Sequence, residues 1–392
     1  MQKLSERIYS VGVNDEDKVL FEGLWPLPFG VSYNSYMVVD EKVALIDTVE
    51  CGFEEEFLAN VHAVIGERQI DYLIVNHMEP DHSSLVGYML ERYPEMLIVA
   101  NAKTLPMLKG YYNVPEDRVQ IVKEGDGISL GTCTLSFHMI PMVHWPETMV
   151  TWLAEEGTVF SGDAFGTFGT VDEDIVDKEG TFEQYRDEMM RYYSNIVGKY
   201  GTPVQAALKK LSGLEIKRIC STHGPVWENE VREVVALYDK MSRYEVSRGV
   251  VIVYGSMYGN TAQAAEALAE ELDKAGVPYA IHDIAGNNYG ELGVSGALRD
   301  VFKYDTIVVG SPTYNNGIFP PVESFMRALQ ARLIKNRRFY AFGSYTWSAS
   351  AVNQLNGMAA NLGFEILGSG LSFAQAYSKD KCNMSEVAKM LI

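Results

Sequence analysis

The stretch NHMEPDHSSL, residues 76–85, places His77, Glu79, Asp81 and His82 within six consecutive positions and has no basic side chain among them. Two imidazoles and two carboxylates so close together cost free energy unless a cation neutralises them. In an extended loop His77, Glu79 and Asp81 project to one side, and His82 points away toward a second metal. Four residues are too few for two metals. Three more candidates stand at or just past apolar runs: His144 in PMVHWPET, Asp163 in FSGDAFG and His223 in CSTHGPVW. Taken singly each is ordinary. A lone histidine near an apolar strand is more often a core side chain, and an aspartate after Ser-Gly more often a turn residue. That plain reading is kept for His62, His138 and His282, which have no companions. Joined to the 77–82 cluster, the three complete a set of four imidazoles and three carboxylates, nitrogen and oxygen ligands throughout. Anionic oxygen shifts the choice of metal toward iron, while ligand type alone leaves zinc open. Paired metals about 3.5–4 Å apart can share a bridging carboxylate.

A second chemistry lies in YGSMYGNTAQAAE, residues 254–266, which reads as a strand, a loop rich in hydroxyls and glycine, then a helix. Backbone N–H groups and a helix N-terminus favour a phosphate there. Ser256, Tyr258, Asn260 and Thr261 add side-chain donors beside Met257 and Gly259. Neither G-x-x-x-x-G-K-[ST] nor G-x-G-x-x-G is present, which argues against a nucleoside triphosphate and a dinucleotide. Two later loops also follow strand ends, SPTYNNG (311–317) and GSYTWSAS (343–350). The first offers Pro312, Thr313, Tyr314, Asn315 and Gly317; the second offers Ser344, Tyr345, Trp347 and Ser348. A lone aromatic here is most simply core packing. Three such loops in order on one sheet make a binding site the better reading, with aromatic faces from Tyr314 and Trp347 and small polar groups beside them.

These residues need a frame. MVVDEKVALID (37–47) reads as two strands around a turn, and DYLIVNH, EMLIVAN, CTLSFHMIP and GTVFSGD as further strands. Helices are expected over 182–200, 203–211 and 229–248, giving a strand-rich α+β half. From about residue 249 strand and helix alternate with short loops: GVVIVYGS, NTAQAAEALAEELDKAG, PYAIHDI, YDTIVVGSPTY, PPVESFMRALQARL, RRFYAFGSYTW and SAVNQLNGMAANLG. That rhythm implies a parallel doubly wound sheet. The expected domains are 1–248 and 249–392.

A chain of 392 residues suits two cores, and 47% hydrophobic with 22% charged residues is ordinary for globular protein. The net charge of −19 argues against a nucleic-acid partner. No apolar run approaches the ~18 residues of a membrane helix, and the N-terminus has no apolar core of a signal peptide. Cys51, Cys133, Cys220 and Cys382 form no C-x-x-C pair, so no zinc knuckle or rubredoxin-type iron site is expected. Scattered single cysteines fit a reducing cytoplasm.

The pattern H-x-[HE]-x-D-H, then His, SGD and THG, resembles a metallo-β-lactamase-like αββα sandwich with a binuclear centre. Glu79 stands where that superfamily's hydrolases usually carry histidine. The loop at 256–261 resembles the flavodoxin phosphate loop [ST]-x-[TY]-G-x-T. The two together resemble the flavodiiron proteins over essentially the whole chain. The resemblance implies one FMN and two iron ions, with His77, Glu79 and His144 on one iron, Asp81, His82 and His223 on the other, and Asp163 between them. It implies no catalytic residue beyond these ligands. It also implies a head-to-tail homodimer, or a dimer of dimers, in which each flavin faces the partner's irons. The donor of electrons would be rubredoxin, a flavin reductase or a reduced deazaflavin. Two Fe(II) ions and one reduced FMN supply four electrons, enough to take O2 to two waters. Two NO need two electrons to give N2O and water. The expected function is therefore an O2 and/or NO reductase. A zinc hydrolase with an accessory flavodoxin domain, and a plain electron carrier, are the alternatives.

Overall fold

The computed structural model describes residues 1–285 and 292–392. Among them the chain forms two compact units. The first is Met1–Val19, Phe29–Tyr193 and Tyr200–Ser242; the second is Leu20–Pro28, Ser194–Lys199 and Arg243–Ile392. The helix expected over 229–248 is shorter, Val231–Ser242, and the next strand begins at Ser247.

In the first unit 37–47 folds back as Tyr36–Val39 against Val43–Ile46, antiparallel, with Met37 opposite Leu45. One sheet has the spatial order Gln2–Lys3, Ile8–Ser10, Tyr36–Val39, Val43–Ile46, Tyr72–Ile74, Leu97–Asn101, Val119–Val122. Its last three strands run parallel to Val43–Ile46. Their crossovers carry the helices Glu54–Ile65, Val86–Arg92 and Thr104–Tyr112. A second sheet has the order Gly127–Ser129, Thr134–Met139, Met149–Leu153, Thr158–Gly162, Arg218–Ser221. Val38, Ile46, Ile74 and Val99 of the first sheet share one buried core with Leu135, Phe137, Met149 and Phe160 of the second. Each such side chain contributes about 1.5–3 kcal/mol by leaving water. Helix Glu54–Ile65 buries only the stripe Phe57, Val61, Ile65, as an outer layer should. The unit is an αββα sandwich. The single helix expected over 182–200 ends at Tyr192; a π-helical turn, Tyr193–Val197, and a tighter turn, Gly198–Tyr200, precede helix Gly201–Leu211. The glycines at 198 and 201 weaken a continuous helix there.

Asp40 ties the two sheets together. It sits in the turn after Tyr36–Val39, and its carboxylate accepts hydrogen bonds from Thr132 N (2.7 Å), Cys133 N (2.9 Å) and Thr132 Oγ1 (3.0 Å). Burial opposes its charge, but the bonds from Cys133 and Thr132 prevail and hold its carboxyl down to about 2. Folding therefore favours the ionised form. The contribution is complete above the ordinary carboxyl range and is lost as pH falls from about 4 toward about 2. Urea unfolding of the wild type and Asp40→Asn, compared across that window, is expected to show a steeper acid-side loss in the wild type only.

The second unit carries one parallel sheet in the order Tyr279–Asp283, Ser247–Tyr254, Tyr304–Gly310, Arg338–Tyr345, with Glu365–Ile366 and Leu371–Ala374 both alongside Arg338–Tyr345. Helices Asn260–Lys274, Gly293–Lys303, Pro320–Ala331 and Ser350–Asn361 connect the strands, which makes the sheet doubly wound. Gly276, at φ +66°, follows the first of these helices, and Pro320 opens the third. Gly343 lies where two chain segments meet backbone to backbone. A Cβ there would overlap the Ser311 carbonyl oxygen.

Candidate metal centre and cofactor cavity

The seven candidate ligands stand on segments that follow strands, Asp81 and His82 in a helical turn and the others on loops. His77 follows Tyr72–Ile74, His144 follows Thr134–Met139, Asp163 directly follows Thr158–Gly162, and His223 follows Arg218–Ser221. The structure brings them together as two groups, His77, Glu79, His144, Asp163 and Asp81, His82, His223; in each, one ligand atom per residue lies within 4.8 Å of the others. The expectation that Asp81 shares a side with His77 and Glu79 is corrected. Pro80 opens a helical turn, Pro80–Ser83, so the period of two ends at Glu79 and Asp81 swings into the second group with His82.

In the first group His144 Nε2 lies 2.9 Å from Glu79 Oε2, 3.0 Å from Asp163 Oδ2 and 3.3 Å from His77 Nε2. In the second, His223 Nε2 lies 3.2 Å from Asp81 Oδ2, and His82 Nε2 lies 3.3 Å from Asp163 Oδ1. Asp163 thus turns one oxygen to each group. Thr222 Oγ1 donates to its Oδ1 at 2.6 Å and fixes the carboxylate in that plane. The residues fit a pair of cations. All donors are nitrogen or oxygen, all are at least nine-tenths buried, and neither Asp81 oxygen and neither His82 nitrogen makes a hydrogen bond.

Electrostatics agree with the geometry. Burial opposes charge on His82, yet Asp81 and Asp163 push its pKa up to about 10. Burial likewise works against ionised Asp163, and the surrounding histidines, His82 and His144 among them, still hold it well below the usual carboxylate range. Such a nest of opposed charges is what bound cations would replace.

Two residues that sequence reasoning passed over orient the set. Glu147, 1% exposed, accepts His77 Nδ1–H at 2.7 Å and Met78 N–H at 3.0 Å. Asp47 accepts Asn76 N–H at 2.8 Å and the Asn76 side-chain amide at 3.1 Å, and burial pushes its carboxyl up to about 6. A signal for Glu147 was present: an acid inside the apolar run MVHWPETMVTWL needs a partner if it is buried. His138 and His282 pair instead with Glu124 at 3.1 Å and Asp300 at 2.8 Å.

In the second unit a cavity of about 370 Å³ is lined by Ser256, Met257, Tyr258, Asn260 and Thr261, by Pro312, Thr313, Tyr314 and Asn315, and by Ser344, Tyr345, Trp347 and Ser348. Thr346 and Gln375 also line it and were not expected. Gln375 holds a left-handed backbone, φ +62°, with its N–H on Tyr345 O at 2.7 Å. Nothing in its flanking sequence announces a turn. Gly259 and Gly317 do not line this cavity. Gly259 caps helix Asn260–Lys274 at φ +84°, a conformation glycine adopts without strain, and Gly317 lines the neighbouring cleft. Ser256 Oγ accepts from Gly259 N and Ala262 N at 3.1 and 3.3 Å and so shapes the loop. The lining carries no charged side chain, and a phosphate placed there would rest on hydroxyls, backbone N–H groups and the helix N-terminus. Trp347 and Tyr258 are 84% and 88% exposed, offering aromatic faces at the rim.

Residues 31–224 match a family model described as ODP family beta lactamase, and residues 252–384 match the flavodoxin model. The chain is 34% identical over 367 residues to an uncharacterized protein of Methanocaldococcus jannaschii, covering 93% of this chain and 91% of that one. It is 31% identical over 369 residues to an anaerobic nitric oxide reductase flavorubredoxin of Aeromonas hydrophila, covering 93% and 73%. Among solved structures, the rubredoxin oxygen:oxidoreductase from Desulfovibrio gigas superposes with a TM-score of 0.93 at 27% identity, covering 100% of this chain and 97% of that one. The flavodiiron protein from Giardia intestinalis does so with a TM-score of 0.92 at 26% identity, covering 100% and 96%.

Proposed function

This chain belongs to the flavodiiron proteins, and from that premise we propose that His77, Glu79, Asp81, His82, His144, Asp163 and His223 hold its two irons, and that the uncharged cavity at 256–261, 312–315 and 344–348 holds its FMN. It is a flavodiiron oxidoreductase acting on O2 and/or NO. The observation that carries the ligand assignment is Asp163, whose two oxygens each face a different donor group. When bound, the irons supply electrons and Lewis acidity to the gas and the flavin supplies two further electrons.

The chain's own residues then have separate tasks. Glu147 and the Ser32 carbonyl hold the Nδ1–H of His77 and His223, each at 2.7 Å, which turns both Nε2 atoms inward. Thr222 keeps the Asp163 carboxylate shared. Trp145 packs edge-on against His77, and Tyr192 lies 5.4 Å from His223, ring to ring; these aromatic walls exclude water.

The domains are assigned as 1–248, carrying the metals, and 249–392, carrying the flavin. We infer a cytoplasmic protein: no helix among the described residues is long and apolar enough to cross a membrane, and its four cysteines are free, Cys51 with an exposed thiol. The electron donor is assigned to the class of rubredoxin, flavin reductase or reduced deazaflavin. A head-to-tail homodimer, or a dimer of dimers, would set each flavin against the partner's irons. A mixed dimer of His144→Ala/Asp163→Ala with a Ser256→Ala/Thr261→Ala subunit tests this. Gas reduction above both parents is expected; none above them means electrons do not cross between chains.

Metal and flavin content per chain, on protein purified without added metal, tests the function itself. Two irons and one FMN, with O2 or NO consumed once reductant is added, are expected. Two zincs that persist after anaerobic growth in iron-rich medium would return the hydrolase reading.

A further inference from the structure

Glu147 is held in place on several sides. Its Oε1 accepts from His77 Nδ1 and Met78 N, its backbone carbonyl accepts from the Asn101 side-chain amide, and its Oε2 makes no hydrogen bond. The imidazole at its tip belongs to the first ligand group. In the second group His223 Nδ1 donates to a neutral carbonyl, Ser32 O, and among the described residues His82 Nδ1 makes no hydrogen bond. A carboxylate that accepts the N–H of a ligating imidazole pulls that proton toward itself and raises the electron density on the opposite nitrogen. A peptide carbonyl does this far less. Asp163 gives one oxygen to each group, so its charge does not separate them. Glu79 and Asp81 balance one another, one carboxylate on each side. Asp47 bears on His82 through space but accepts its hydrogen bonds from Asn76; Glu147 accepts the N–H of a ligand imidazole directly.

We propose that Glu147 is a positioning residue that makes the two metal positions unequal, so that the one held by His77, Glu79 and His144 binds its metal more tightly than the one held by Asp81, His82 and His223. The inference rests on the ligand assignment given under Proposed function.

The test is an anaerobic titration of metal-free protein, still holding its FMN, with Co(II), followed by the cobalt absorption bands and by calorimetry. Wild type is expected to bind in two resolved steps. Glu147→Gln retains an oxygen that can accept from His77 and removes only the charge. Its tight step is expected to weaken by about 10–100-fold while the weaker step stays within about twofold, so that the two converge. Glu147→Asp restores the charge at shorter reach and is expected to fall between, a graded recovery that a purely structural role would not give. Equal weakening of both steps in Glu147→Gln, or no change in either, overturns the inference and leaves the ligand assignment standing. Wild-type protein that binds no Co(II) overturns both. Unchanged FMN content and far-UV circular dichroism establish that the variants are folded.

Discussion

Asp163→Asn is expected to hold less than two irons per chain and to consume O2 and NO about a thousandfold more slowly, with FMN content unchanged. The substitution is nearly isosteric, so the sandwich has no reason to collapse. What changes is the number of anionic oxygens. Asp163 sends Oδ2 toward His144 and His77 at 3.0 and 3.5 Å, and Oδ1 toward His82 and His223 at 3.3 and 3.6 Å. An amide has one oxygen and one NH2. Whichever way it turns, one group loses its shared ligand and receives a donor pointed at a cation. Thr222 Oγ1, which now donates to Oδ1, favours keeping the oxygen on the second group. The loss then falls on the group with His77, Glu79 and His144. Removing one ligand's electrostatic support from a metal-assisted reaction costs several kcal/mol, and about 4 kcal/mol corresponds to a thousandfold. Iron analysis, with an O2 and an NO electrode on the same preparation, reads the result. Two tightly held irons and normal turnover would remove Asp163 from the centre.

Gly343→Ala is expected to destabilise the second unit by about 3 kcal/mol or more and to weaken FMN binding at least tenfold. A methyl there must overlap Ser311 O, a backbone atom fixed on both sides. Ser311 N donates to Phe342 O at 3.0 Å, and Ser311 Oγ accepts from Phe319 N, also at 3.0 Å. Ser311 precedes Pro312 and Gly343 precedes Ser344, and both of those following residues line the cavity. The contact that admits only hydrogen therefore also sets the spacing of two cofactor loops. Gly357→Ala is the matched control. It lies in helix Ser350–Asn361, a Cβ there meets nothing within 4 Å, and alanine should stabilise the helix by about 0.5–1 kcal/mol. Denaturant unfolding should move the two variants in opposite directions, and flavin fluorescence titration should show weakened binding in Gly343→Ala alone. If Gly343→Ala behaves like Gly357→Ala, the two loops tolerate separation.

Much of this was legible in residue types and spacing. The cluster at 77–82 is dense enough to announce a cation, and the alternation after residue 249 announces a parallel sheet. The lone candidates His144, Asp163 and His223 could be gathered because each stands at a strand end, and strand ends of one sandwich converge. Alternation alone puts Asp81 with His77 and Glu79, because a period of two assumes an extended chain, whereas Pro80 starts a helical turn there; the family resemblance puts it with His82 and His223, where the structure has it. Glu147 and Gln375 were missed for a different reason. Each acts through a long-range neighbour, His77 and Tyr345 respectively, and a linear pattern does not encode that proximity. The grouping of Leu20–Pro28 and Ser194–Lys199 with the second unit is likewise a matter of tertiary contact, invisible to local periodicity.

The strand-end loops that supply the ligands have a consequence for the lifetime of the molecule. The chain visits this edge at His77, returns at His144 and Asp163, and comes back at His223. A bound pair of ions is therefore a cross-link across most of the first unit, closing loops much as a disulfide does but held by reversible bonds. Without it, the loops are held at this edge only by the pairs between histidines and carboxylates, His82 with Asp163, His144 with Asp163 and His223 with Asp81. Chelator-treated protein is expected to be cut by protease at this edge first. In a cell the same edge would be the point at which a chain without metal is first exposed to proteolysis.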